Sequence, residues 1–81
     1  MGVLRVMTAG GDLSVRWDRQ QVEAGDAEAR TAVEEAERLF EQARARGATA
    51  FKVVPGRPAE RIERFDPEAE QIVVVPQVAG G

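Results

Sequence analysis

Two adjacent glycines, Gly80 and Gly81, stand behind Pro76-Gln77-Val78-Ala79, and the chemistry this placement suits is activation of the Gly81 carboxyl. A carboxylate is a poor electrophile. Joined to AMP by a separate enzyme, it becomes a mixed anhydride open to attack by a thiol, a sulfide or an amine. Glycine suits that role because, without a Cβ, it passes a narrow channel and leaves the carbonyl open to a nucleophile. A side chain at position 81 would crowd the attack path. Eight of the 81 residues are glycine, so such a pair arises by chance in roughly 1% of chains with this composition. The glycines therefore draw their meaning from what precedes them.

The rest of the chain offers little chemistry of its own. It has no Cys and no His, which removes the thiolate nucleophile, the usual metal ligands and the side chain best suited to proton transfer near neutral pH. The chain is accordingly expected not to be an enzyme and to bind no metal or cofactor, with ATP used only by a partner. At 81 residues it is read as one domain, with room for a core and none for a deep active-site cleft. Fourteen acidic against eleven basic residues give a net charge of -3. Arginines are scattered among glutamates and form no basic stripe, so nucleic acid is not an expected partner. The start of the chain, Met1-Gly2-Val3-Leu4-Arg5, holds no apolar run of signal-peptide length. A cytoplasmic location without membrane attachment is the expectation.

Presenting a carboxyl terminus requires a rigid body behind it, and hydropathy patterning outlines one. Runs at 3–8 and 13–18 have strand character and are joined by Ala9-Gly10-Gly11-Asp12, which predicts a hairpin. Leu13, Val15 and Trp17 alternate with Ser14, Arg16 and Asp18, so one face is expected dry and Trp17 is read as core. From 26 to 46 the period changes. Ala29, Val33, Ala36, Phe40 and Ala43 recur every three or four residues with Leu39 beside them, the stripe of a helix packed on one side. Asp26 and Glu28 near its start, Arg44 and Arg46 in its last turn, and Gly47 as a left-handed cap fit its ends. Glu34 and Arg38, four apart, are expected to pair, and Glu35, Glu37 and Glu41 belong to a solvated face.

Strand character returns at 49–54 around Phe51 and Val53, and Pro55-Gly56-Arg57-Pro58 interrupts it. A short edge strand is expected at 61–65, and Asp66-Pro67-Glu68-Ala69 turns the chain again. Residues 72–75, Ile-Val-Val-Val, are apolar without alternation, as in a strand covered on both faces or lying at the centre of a sheet. Pro76 has no N–H to donate, so regular pairing is expected to stop there. The order is read as ββαββ in an α+β fold. Residues 1–76 form the domain, and 77–81 a short flexible tail carrying the diglycine.

With that order and that ending, the chain resembles the ubiquitin-like β-grasp superfamily, in which a last strand runs into an exposed diglycine tail. Ile72-Val73-Val74-Val75-Pro76-Gln77-Val78-Ala79-Gly80-Gly81 is similar to the ending of the molybdopterin-synthase small subunit, a sulfur carrier. Asp66-Pro67-Glu68-Ala69-Glu70-Gln71 stands where that carrier has an acidic glycine-containing turn, and the helix here is longer and more charged. The segment from Ala45 to Phe51, the Asp66-Pro67 turn and the diglycine also resemble bacterial ubiquitin-like proteins, which tend to be encoded beside activating enzymes, conjugating-type enzymes and metal-dependent deubiquitinase-like peptidases. The resemblance implies a mixed β-grasp sheet with the last strand parallel to the first at its centre and the helix across one face.

It also implies roles. Gly81 supplies the activated carboxylate, Gly80 the unhindered approach, and Pro76, Gln77, Val78 and Ala79 the segment held by an adenylating enzyme. Three functions remain open: a protein modifier joined through a thioester to target amines, a sulfur carrier with a C-terminal thiocarboxylate, and an unconjugated interaction domain. Lys52 is the one lysine among eleven basic residues. It is either a solvated strand lysine or the sole side-chain acceptor for self-conjugation, the Met1 amine being the other acceptor, since arginine stays protonated at physiological pH.

Overall fold

Alternating apolar residues in the first two runs produce a hairpin of β1 (Gly2–Thr8) and β2 (Gly11–Trp17), in register from Gly2 opposite Trp17 to Thr8 opposite Gly11. The computed structural model describes residues 1–8 and 10–77. After the hairpin come a short helix α1 (Arg19–Glu23), a long helix α2 (Ala27–Ala45), and the strands β3 (Thr49–Val53), β4 (Glu60–Ile62) and β5 (Gln71–Val75). The strands form one mixed sheet in the order β2-β1-β5-β3-β4. β5 lies at its centre, parallel to β1 and antiparallel to β3. The fold is α+β, with one five-stranded sheet and one main helix packed on it.

Backbone alternation places Leu4, Val6, Ala50, Ile72 and Val74 on the face beneath α2, and all five are buried. Ala36 and Phe40 of α2 press onto them and are fully buried. Trp17 is core as expected, at 2% exposure. Its ring lies 5.6 Å from that of Phe65, which meets Phe40 edge-on at 5.8 Å. The apolar run 72–75 takes the second of its two expected forms. It is central, but only Ile72 and Val74 are buried, while Val73 and Val75 are half-buried on the face that α2 does not cover.

Several sequence expectations need correction. The order is not ββαββ, because a short helix precedes the long one and three strands follow it. Asp18 is not a strand residue; its carboxylate caps α1 by accepting from the amides of Gln20 (2.9 Å) and Gln21 (3.3 Å). Gly25, at φ 84°, ends α1 in a Schellman turn, with the Gly25 amide on Val22 O and the Asp26 amide on Gln21 O. Asp26 then caps α2 in the same way. Gly47 ends α2 as expected, at φ 92°, with its amide on Arg44 O and the Ala48 amide on Ala43 O.

Leu13 is half-exposed, since it sits near the hairpin end of an edge strand with a neighbour on one side alone. Arg38 pairs with Glu35, three residues back, and not with Glu34; both spacings bring side chains together on a helix surface. The hydrogen bond that Arg38 donates to the Glu35 carboxylate, and then that carboxylate's charge, hold the Arg38 guanidinium above its ordinary range. The edge strand β4 covers Glu60–Ile62, and Phe65 lies outside it. Phe65 leaves the sheet because its ring is committed to Trp17 and Phe40. In β3 the core residue is Ala50, whereas Phe51 and Val53 point to the uncovered face.

Candidate functional site

β5 delivers the chain to the site. It is held on both sides, pairing Leu4 with Ile72 and Val6 with Val74 toward β1, and Ala50 with Val74 and Thr49 with Val75 toward β3. Pairing ends at Val75, one residue before Pro76, as the missing N–H dictates. Pro76 and Gln77 are exposed. The Gln77 side chain lies across Gly47, where an added Cβ would overlap its amide oxygen. The glycine that caps α2 thus also leaves room for the side chain of the second residue beyond the strand. Val78, Ala79, Gly80 and Gly81 lie outside the described residues.

Beside that point is a cleft of about 250 Å³ between the end of β1, the last turn of α2 and the end of β5. Val6, Ala43, Ala48 and Val74 line its interior, and Met7, Arg46, Pro76 and Gln77 border it. Small side chains create the space: Ala43 and Ala48 stand where larger residues would fill it. Met7 is 42% exposed. Arg44, which also belongs to this end of α2, donates to Ala48 O at 3.1 Å. Sequence reading did not single out this cleft. Its signals were the alanines in the last helical turn and a methionine at the end of a strand, neither of which points to a site without the topology.

Lys52 lies apart from Pro76 and Gln77. It faces Ile72 on one side and Glu60 on the other, nearer the start of β5 than its end. Its Nζ donates to Asp66 Oδ2 at 3.2 Å, and its side chain is 30% exposed. It is therefore neither buried nor freely solvated. As a nucleophile it would first have to leave Asp66. Met1 is 69% exposed and borders a polar depression with Asp18, Arg19, Gln20, Glu23 and Glu68, at the opposite end of β1 from the cleft.

Among the described residues, no group of three or more His, Cys, Asp or Glu side chains is placed to hold a metal ion, and no helix is long and apolar enough to cross a membrane. No protein-family model, no curated protein and no solved structure matches the chain. Function must therefore be argued from the geometry and from the residues themselves.

Proposed function

We propose that the chain is a ubiquitin-like β-grasp protein modifier whose Gly81 carboxyl is activated by an adenylating enzyme and joined to amines of target proteins. The observation that carries this reading is the course of β5. A central strand, parallel to β1 and pinned on both edges, stops at Val75-Pro76, and Gly80-Gly81 follow four and five residues after Pro76. Such a strand holds Pro76 in place, a fixed root from which the diglycine would be presented.

In the proposed reaction the Gly81 carboxylate attacks the α-phosphorus of ATP and displaces pyrophosphate, giving the acyl adenylate. An enzyme thiol then attacks the carbonyl, AMP leaves and a thioester forms. A target amine attacks in turn, forming the amide, losing a proton and freeing the thiol. The chain contributes the carboxyl, the unhindered glycines and the surface around Pro76 and Gln77 that the adenylating enzyme holds. A conjugating-type enzyme and a deubiquitinase-like peptidase would act on the same tail. Self-conjugation through Lys52 would compete with its bond to Asp66.

Two other readings each rest on an observation. The similarity of residues 72–81 to the molybdopterin-synthase small subunit favours a sulfur carrier, in which sulfide in place of the enzyme thiol displaces AMP and leaves a thiocarboxylate. The uncovered sheet face, with half-buried Val3, Phe51, Val53, Val73 and Val75, favours an interaction domain that docks partners there. Mass spectrometry of the protein from its own cells separates the three. Gly-Gly remnants on target lysines are the result expected of a modifier. An intact mass raised by one sulfur replacing one oxygen would move the assignment to the sulfur carrier. Neither product in cells that hold the partner genes would overturn both.

A further inference from the structure

The cleft beside Pro76 has a mainly apolar lining, and its position relative to Gly81 is constrained by chain length. Gly81 stands four residues beyond Gln77, and an extended chain advances at most about 3.3–3.6 Å per residue, so the Gly81 carbonyl lies no more than about 15 Å from Gln77. An enzyme that holds that carbonyl is a folded body far wider than this distance, so its surface comes near Pro76 and Gln77, which border the cleft.

The chemistry of the cleft says what it would accept. Its interior is apolar, from Val6, Ala43, Ala48 and Val74, and Met7 at its edge has the unbranched, adaptable side chain that fits itself to an incoming apolar group. One cation borders it. Arg46 is exposed and makes no ion pair among the described residues, whereas its neighbour Arg44 is engaged with Ala48 O. A chain of net charge -3 thus presents a positive group at this apolar opening.

We propose that this cleft is the docking point for the adenylating enzyme that acts on Gly81, receiving one of its apolar side chains while a carboxylate of that enzyme pairs with Arg46. The inference rests on the modifier reading, or equally on the sulfur-carrier reading, because adenylation is common to both. It goes beyond them in assigning recognition to the folded body as well as to the tail.

The test uses the full-length chain expressed in its own cells in place of the native copy, with Gly80-Gly81 intact. Met7→Glu and Arg46→Glu place negative charge at the cleft, and Met7→Leu and Arg46→Lys conserve its chemistry. The readout is the fraction of the chain carrying a Gly81-linked product, conjugate or thiocarboxylate, by mass spectrometry, beside the thermal midpoint of each purified variant. The expected result is a drop of about tenfold or more for both glutamate variants, the scale of one lost interfacial ion pair or apolar anchor, with wild-type yield in both conservative variants. Arg46 is exposed, so Arg46→Glu decides the matter even where Met7→Glu lowers the midpoint. Wild-type yield in both glutamate variants overturns the docking proposal and leaves the tail reading standing. Absence of product from the wild-type chain overturns the tail reading, and the docking proposal with it.

Discussion

The two ends of β5 are built on opposite plans. At its beginning, side chains from distant parts of the chain converge on the turn that leads in. Trp17 Nε1 donates to Pro67 O at 2.9 Å and Arg19 to Glu68 O at 2.8 Å. Lys52 donates to Asp66, whose other oxygen accepts from the Glu68 amide, and the Val3 amide donates to Glu70 O. Ala69 is buried among them. At the end of β5 Val74 is buried in the core, but among the described residues no side-chain hydrogen bond ties the strand there; the backbone ladder is followed by Pro76 and then by one side chain lying over Gly47. The first end is tied to the core, and the second is left open beside an unfilled cleft. The contrast predicts that substitutions at the beginning of the strand act through folding, whereas on the proposed function those at its end act on docking of a partner.

The contrast breaks most visibly at Trp17. Trp17→Ala removes a buried indole, its ring contact with Phe65 and its bond to Pro67, and is expected to cost about 3–5 kcal/mol of stability, read from urea denaturation. A loss below about 1 kcal/mol would mean that the beginning of β5 is not anchored as described. A smaller effect is expected at Asp18, which caps the helix that carries Arg19 to the same turn. Asp18→Ala is expected to cost about 1 kcal/mol, again by denaturation, and Asp18→Asn much less. The smallest stability effect is expected at the other end. Gln77→Ala should change stability by less than about 0.5 kcal/mol while lowering the yield of Gly81-linked product in cells. A large loss of stability there would show that the end of β5 is anchored too.

Much of the frame was legible because its signals are local. The hairpin, the period of α2 with Asp26 and Gly47 at its ends, the Asp66-Pro67 turn and the stop at Pro76 each follow from residue type and spacing. The resemblance supplied the parallel pairing of β5 with β1. Hidden features were those set by tertiary contact. Phe65 read as the end of an edge strand because its partners, Trp17 and Phe40, are distant in sequence. Phe51 and Val53 marked β3 by hydropathy, yet the residue beneath the helix is Ala50, where the smaller side chain fits. α1 was legible in principle, with Asp18 before Arg19-Gln20-Gln21 and Gly25 after it, but five helical residues carry too little periodicity to stand out. Of the candidate site, the tail root and Lys52 were read from the sequence, whereas the cleft exists only once α2, β1 and β5 are brought together.

The account stands or falls on whether the diglycine works as chemistry and not as structure. The most direct measurement compares the full chain with one lacking Gly80 and Gly81, each purified for denaturation and each expressed in its own cells for detection of conjugates. The expected result is an unchanged denaturation midpoint together with complete loss of Gly81-linked product and of function in cells. Full function retained by the shortened chain would contradict it and move the working surface to the uncovered face of the sheet.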